Sequence, residues 1–288
     1  MNPYVIVTDS CADMVPGFAA ENHIVELELT YTIGGVTRPC NDPSLSRPAF
    51  YDMVRAGEMP ITAQVNIEDA VRALTPLLDA GSDLLCIMFS SALSGTYNSV
   101  RLAAEELAPQ YPTQRIIVLD SLAASAGQGM LVARAVMYRE QGLSLDENAE
   151  RIKEDIPRQA HLFTVDDLNH LHRGGRVSKT AAVFGTMLGI KPLLHVDDAG
   201  RLIPTGKVRG RRNSLLGLVE GMARQMDPEK CDRFAISHGD CIDDAQFVAD
   251  EVCRRFGLKD YTISYVGPVI GAHSGPGTVA LFFYAKHK

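Results

Sequence analysis

The chain has 288 residues, 46% of them hydrophobic, and a formal net charge of −7. At this length about 75% of the unfolded surface can be buried, so a core needs no disulfide or metal to hold it. The acidic balance argues against general nucleic-acid binding. Apolar runs such as Leu84–Phe89 and Val279–Tyr284 fall well short of the ~18 residues of a membrane span.

The first residues, Met1-Asn2-Pro3-Tyr4, carry no basic segment, and the apolar run after them closes on Asp9. That pattern does not fit a signal peptide. Six cysteines, at 11, 40, 86, 231, 241 and 253, are scattered and form no C-x-x-C pair. Such a set reads as reduced thiols in a cytoplasmic chain and argues against structural zinc.

Tyr4–Val7 predicts a short strand that ends in Thr8-Asp9-Ser10. Ile24–Ile33, Gly34-Gly35 and Val36-Thr37 predict a hairpin. Asn66–Ala80 predicts a helix. Asn66 suits its cap, and Ile67, Ala70, Val71, Leu74, Leu77 and Leu78 make one apolar stripe. Leu84–Phe89 reads as a buried strand, followed by a turn and a helix over Thr96–Leu107. Arg115–Leu119 is the next strand, ending in Asp120-Ser121, and a long helix follows at Ala123–Glu140. This alternation implies parallel strands with crossover helices. Ligands of such sheets sit beyond the carboxyl ends of the strands. Thr8-Asp9-Ser10, Ser90-Ser91-Ala92 and Asp120-Ser121-Leu122 all belong there.

Ser144–Ile156 is a charged amphipathic helix closed by Pro157, which sets a domain boundary. Residues 1–157 form one α/β domain and 158–288 a second. Strands are expected at His161–Val165, Leu193–Val196, Arg201–Pro204, Arg233–Ser237, Tyr261–Val266 and Val279–Ala285. Helices are expected at Ser178–Leu188, Arg211–Met226 and Asp243–Phe256. The turn Asp197-Asp198-Ala199-Gly200 joins two strands as a hairpin, so the second sheet is mixed. The fold class is therefore α/β, with a parallel-sheet N-terminal domain and a mixed-sheet C-terminal domain.

Four segments could carry chemistry. Phe89–Ser99 places five Ser/Thr between a buried strand and a helix. A helix N-terminus offers unpaired N–H groups to an anion. Gly95 would let a ligand approach, and Ser94 and Thr96 would add hydroxyls. An ordinary cap needs one such residue. Gly267–Gly277 sets His273 among four glycines and two prolines, a shaped loop around one hydrogen-bonding ring. Met59–Asn66 is a turn and cap containing Thr62. His170–Arg176 and Lys207–Arg212 belong to a block, Arg173 to Arg212, with nine Lys/Arg and two acids. It carries +7, leaving −14 elsewhere. His170 and His172, two apart, make a poor metal pair on a helix. The arginines suit phosphate or an acidic surface; a solvated basic face is the plainer reading.

No G-x-x-x-x-G-K-[ST] phosphate loop and no H-E-x-x-H occur. Ser94, Asp240 and His273 follow the order of a serine hydrolase, but Ala92 and Thr96 replace the glycines of its nucleophile turn. A nucleic-acid role for the basic block lacks aromatic interleaving.

In order along the chain stand Val7-Thr8-Asp9-Ser10, Ile61-Thr62-Ala63-Gln64, Ser91–Ser99 and Val118-Leu119-Asp120-Ser121. Leu171-His172-Arg173-Gly174-Gly175-Arg176, Leu188-Gly189-Ile190-Lys191-Pro192 and Gly271–Gly277 follow. Through these segments the chain resembles the DegV family, and within it the fatty-acid-binding subunits of bacterial fatty acid kinase. Ala63-Gln64 departs from the Ser-Gln of many members. The resemblance implies a long-chain fatty acid buried between two α/β domains, with no other cofactor and no metal. It implies that Thr62, Ser94 and His273 hydrogen-bond the carboxylate, helped by backbone N–H groups near Gly95 and Thr96. It also implies a partner kinase that binds ATP and makes an acyl phosphate, with this chain as a non-catalytic carrier. Arg173, Arg176 and Arg209 would then face that partner or its phosphate, and transient membrane contact would serve lipid exchange.

Overall fold

The structure, a computed structural model, describes residues 3–178 and 189–287. The helix expected at Ser178–Leu188 lies, apart from Ser178, outside the described residues. The chain runs β1 (Tyr4–Asp9), α1 (Phe18–Glu21), β2 (Val25–Leu27), β3 (Thr30–Ile33), β4 (Val36–Pro39), α2 (Arg47–Arg55), β5 (Ile61–Ala63), α3 (Ile67–Asp79), β6 (Asp83–Met88), α4 (Thr96–Leu107), β7 (Ile116–Asp120), α5 (Ala126–Glu140) and α6 (Leu145–Asp155). It continues through β8 (Gln159–Thr164), α7 (Asn169–Arg173), β9 (Ile190–Val196), β10 (Leu202–Arg209), α8 (Arg211–Gln225), β11 (Arg233–His238), α9 (Ile242–Phe256), β12 (Asp260–Tyr265), α10 (Pro268–Ser274) and β13 (Val279–Tyr284).

Strands β2, β1, β6 and β7 pair in parallel in that order. Helices cover both faces of this sheet, which is why β6 is a continuous apolar run. Its Leu84, Cys86 and Met88 pack with Leu74 of α3 and Val100 of α4. Leu85 and Ile87 pack with Val132 of α5 and Ile152 of α6. Asn66 caps α3 by accepting the Asp69 N–H at 2.7 Å, and Ser144 and Glu147 form a reciprocal capping box on α6.

The second large sheet has the order β10-β9-β8-β13-β11-β12. Only β11 and β12 run parallel; the other neighbours are antiparallel. All its strands follow Pro157, and all strands of the parallel sheet precede it. The fold is thus the expected two-domain α/β arrangement, one sheet parallel and one mixed.

Three segments depart from the sequence reading. Val25–Leu27 leaves the expected hairpin to join β1, so the hairpin is only β3 and β4 around Gly34-Gly35. Ile61–Ala63, expected as a turn, is a strand on the other side of β3, with Thr62 opposite Tyr31. A third, small antiparallel sheet results. The expected loop at Gly267–Gly277 is largely helix α10. Pro268 occupies its first turn, where a missing N–H costs nothing, and Gly275 ends it with positive φ.

The halves interlock at buried polar contacts. Asp13 accepts bonds from the Ser125 hydroxyl and from the Gly267 N–H, the latter at 2.9 Å. Burial pushes its carboxyl up to about 7. Tyr51 Oη, wholly buried, donates to the Val266 carbonyl at 2.8 Å. Replacing Tyr51 by Phe keeps the ring and strands that carbonyl, so it should destabilise the fold by about 1–3 kcal/mol in a denaturant titration. An unchanged midpoint would show that the bond contributes nothing.

Candidate functional site

A cavity of about 470 Å³ is lined by residues of both halves. The size falls in the ~300–1,000 Å³ range of small-molecule sites. Its walls are mainly apolar: Leu29, Phe89 and Leu93 from the first half, and Phe163, Val196, Leu202, Val269, Ile270 and Phe282 from the second. Period-2 geometry makes one face of the mixed sheet a wall. His161 pairs with Phe282 and Phe163 with Ala280 across β8 and β13, and all four line the cavity. The polar lining includes Thr62, Gln64, Ser94, Arg176 and His273.

Three distant segments meet there. Thr62 Oγ1 lies 2.8 Å from His273 Nε2. Burial first, and then the charge of Arg176, lower the His273 pKa to about 4. The ring is therefore neutral at pH 7 and carries one proton. With that proton on Nε2 it donates to Thr62, leaving the Thr62 hydroxyl free to donate to a ligand. In that tautomer His273 positions the Thr62 hydroxyl, and its ring also lines the cavity. Gly174 explains how the ring fits: a Cβ there would fall 2.2 Å from His273 Nδ1. The glycine of the Leu171–Arg176 motif thus gives the imidazole its space.

Ser94 precedes α4, whose bounds, Thr96–Leu107, agree with the sequence reading. Its Oγ accepts the Thr96 N–H at 3.2 Å and lies 3.0 Å from Thr96 Oγ1. Either hydroxyl of that pair can donate; when Thr96, wholly buried, gives its proton to Ser94, the Ser94 hydroxyl is left to donate into the cavity.

The backbone donors expected near Gly95 and Thr96 are already used. Ser94 takes the Thr96 N–H, and Gln64 Oε1 takes the Gly95 N–H at 3.1 Å. The space above Gly95 is not open to a ligand: a Cβ there would meet Gln64 Oε1 at 2.2 Å. Most of the hydroxyls in this turn serve the scaffold too. Ser90 donates to the Gly200 carbonyl at 2.9 Å, and Ser99 receives Gln64 Nε2 at 3.1 Å. Asp9 Oδ2 receives the Phe89 N–H at 2.7 Å and Asp120 the Ser91 N–H at 3.1 Å. The polar strand ends thus aim the turn, and Ser94 alone among its five Ser/Thr hydroxyls lines the cavity.

Gln64 was missed as a site residue. Thr62 and Gln64 stand two apart on extended backbone and so share a side, a signal present in the sequence. The arginines divide. Arg173 and Arg209 are exposed. Arg176, expected with them, instead lines the cavity, donating from Nε to the Leu93 carbonyl at 3.1 Å and also to the Gly174 carbonyl. Burial lowers its pKa from the ordinary guanidinium value.

The hydrolase arrangement does not assemble. His273 Nε2 faces Thr62, while Asp240 receives Arg55 at 2.6 Å and the Tyr265 hydroxyl at 3.2 Å. Among the described residues no hydrogen bond joins Ser94, His273 and Asp240. No described helix is long and apolar enough to cross a membrane.

Fold and cavity define a two-domain α/β protein with an apolar chamber under a neutral hydrogen-bonding mouth. The sequence model of the family described as "Uncharacterised protein, DegV family" matches residues 3–286. The chain belongs to the DegV family. It is 41% identical over 289 residues to a DegV domain-containing protein of Clostridium perfringens, covering 100% of this chain and 99% of that one. A DegV family protein of Thermus thermophilus, described for its fatty acid binding, superposes with a TM-score of 0.88 at 28% identity, covering 99% and 100% of the two chains. A Thermotoga maritima protein described as revealing fatty acid binding function gives 0.85 at 28%, with 99% and 100% covered.

The His273 assignment has a sign. Its folded pKa, about 4, lies below the ordinary 6.5. The folded chain therefore binds fewer protons between those values. The ring's contribution to stability is complete above about pH 6.5 and is lost as pH falls toward 4. Imidazole ¹⁵N shifts should show His273 neutral from pH 7.5 down to about pH 5; a midpoint near 6.5 would refute the buried neutral ring.

Proposed function

We propose that the protein binds a long-chain fatty acid in this cavity and presents its carboxylate to a partner ATP-dependent kinase, which converts it to an acyl phosphate. The observation that carries the reading is the pairing of an apolar chamber with the Thr62, Ser94 and His273 mouth. The fatty acid binding described for the Thermus and Thermotoga relatives supports it. In this reading the two domains, residues 1–157 and 158–288, close on the acyl chain. The protein is a carrier and not a catalyst, and the bound lipid is its only cofactor-like group. The exposed Arg173 and Arg209 are suited to the partner, and Arg176, beside His273, to the charge of the phosphorylated head. Loading and release would involve transient membrane contact, and the cytoplasm is the fitting compartment.

Magnitudes separate the roles of chain and head group. Burying a CH₂ stabilises by ~0.8 kcal/mol, so about fifteen contribute on the order of 12 kcal/mol before association costs. A hydrogen bond to a carboxylate contributes roughly 1.5–3 kcal/mol. The chamber sets retention, and the hydroxyls set where the carboxylate points. Ser94→Ala should therefore reduce acyl phosphate formation, assayed with the partner kinase and ATP, more than it reduces retention of labelled oleate. Equal losses in the two assays would contradict this division.

A further inference from the structure

A carboxylate offers about four lone-pair sites. The mouth supplies fewer donors than its polar residues suggest. His273 is spent on Thr62, and the Gly95 and Thr96 N–H groups are spent on Gln64 and Ser94. Among the expected hydroxyls, Thr62 and Ser94 remain.

Three further hydroxyls line the cavity: Ser125, Ser274 and Thr278. Ser125 Oγ is held between Asp13 and Ser237. Thr278 Oγ1 donates to the carbonyls of Ser274 and Gly275 at 3.1 and 2.8 Å. Ser274 differs from both. It is 4% exposed, and its Oγ has no hydrogen-bond partner. A helical serine commonly returns its hydroxyl to the carbonyl four residues back; Ser274 does not. Among the described residues it is the one cavity-lining side chain that leaves a buried polar atom unpaired. Such a group costs about 1–3 kcal/mol unless something meets it. Ser274 follows Ile270 by four positions, which puts both on the cavity face of α10.

We propose that Ser274 Oγ donates a hydrogen bond to the ligand carboxylate, as a third donor beside Thr62 and Ser94. The assignment rests on the reading of the cavity as a fatty-acid site. It predicts opposite signs with and without ligand. Ser274→Ala deletes an unpaired hydroxyl from the empty protein and a paired one from the complex.

The test uses delipidated full-length protein, wild type and Ser274→Ala, with oleate and with oleyl alcohol, which keeps the chain and lacks the carboxylate. The empty variant should melt at the wild-type temperature or above it. Its Kd for oleate should rise about tenfold or more, the fold-change of one lost charge-assisted bond, and its Kd for oleyl alcohol should stay within about twofold. An unchanged oleate Kd, or equal weakening toward both ligands, overturns the assignment and leaves the fatty-acid reading standing. A large fall in the melting temperature of the empty variant makes Ser274 a structural residue and also overturns it. Failure of the wild type to bind either ligand overturns the fatty-acid reading itself.

Discussion

The site depends on one hydrogen bond, between the neutral His273 ring and the Thr62 hydroxyl, residues 211 positions apart. It joins an edge strand of the small sheet to a seven-residue helix of the second half. The bond needs an uncharged imidazole, and the apolar chamber with the nearby Arg176 charge keeps it uncharged. It needs room for the ring, which Gly174 leaves. In return it orients the Thr62 hydroxyl. A protonated His273 would put a second positive charge beside Arg176. Thr62, Ser94 and His273 are thus neutral groups, and Arg176, which lines the same cavity, is tied back to two carbonyls.

Around this bond, buried carboxylates act as clamps. Asp9 holds the Phe89 and Cys11 N–H groups, and its pKa rises with burial to about 6. Asp13 spans the halves through Ser125 and Gly267. Neither lines the cavity. Their effect on the site is positional: Asp9 fixes the end of β6, from which the serine turn leaves, and Asp13 fixes the approach to α10. For these raised carboxyls folding favours proton uptake, so their contribution is lost as pH rises through their folded values, opposite in sign to that of His273.

Much of this was legible in the sequence because period and caps agreed. The Asn66 cap with its apolar stripe gave α3, and the buried run at Leu84 gave β6. Other features were hidden for physical reasons. Ile61–Ala63 is too short to show a period, and its strand character comes from pairing with β3. The glycines and prolines of Gly267–Gly277 read as loop punctuation, although Pro in the first turn and Gly after the last are also helix signals. The surplus of serines in Phe89–Ser99 pointed to a ligand, but Ser90 and Ser99 bind the scaffold. The spacing of Gln64 from Thr62 showed a shared side but not its partners, the Gly95 N–H and the Ser99 hydroxyl, and no spacing shows that the Ser274 hydroxyl lacks one.

Native mass spectrometry of the protein as purified, followed by organic extraction, shows whether the chamber holds a fatty acid. The expected result is an excess mass equal to one long-chain fatty acid per chain, released by the solvent and recovered in the extract. A clean mass of the empty polypeptide that does not change when oleate is added would contradict it.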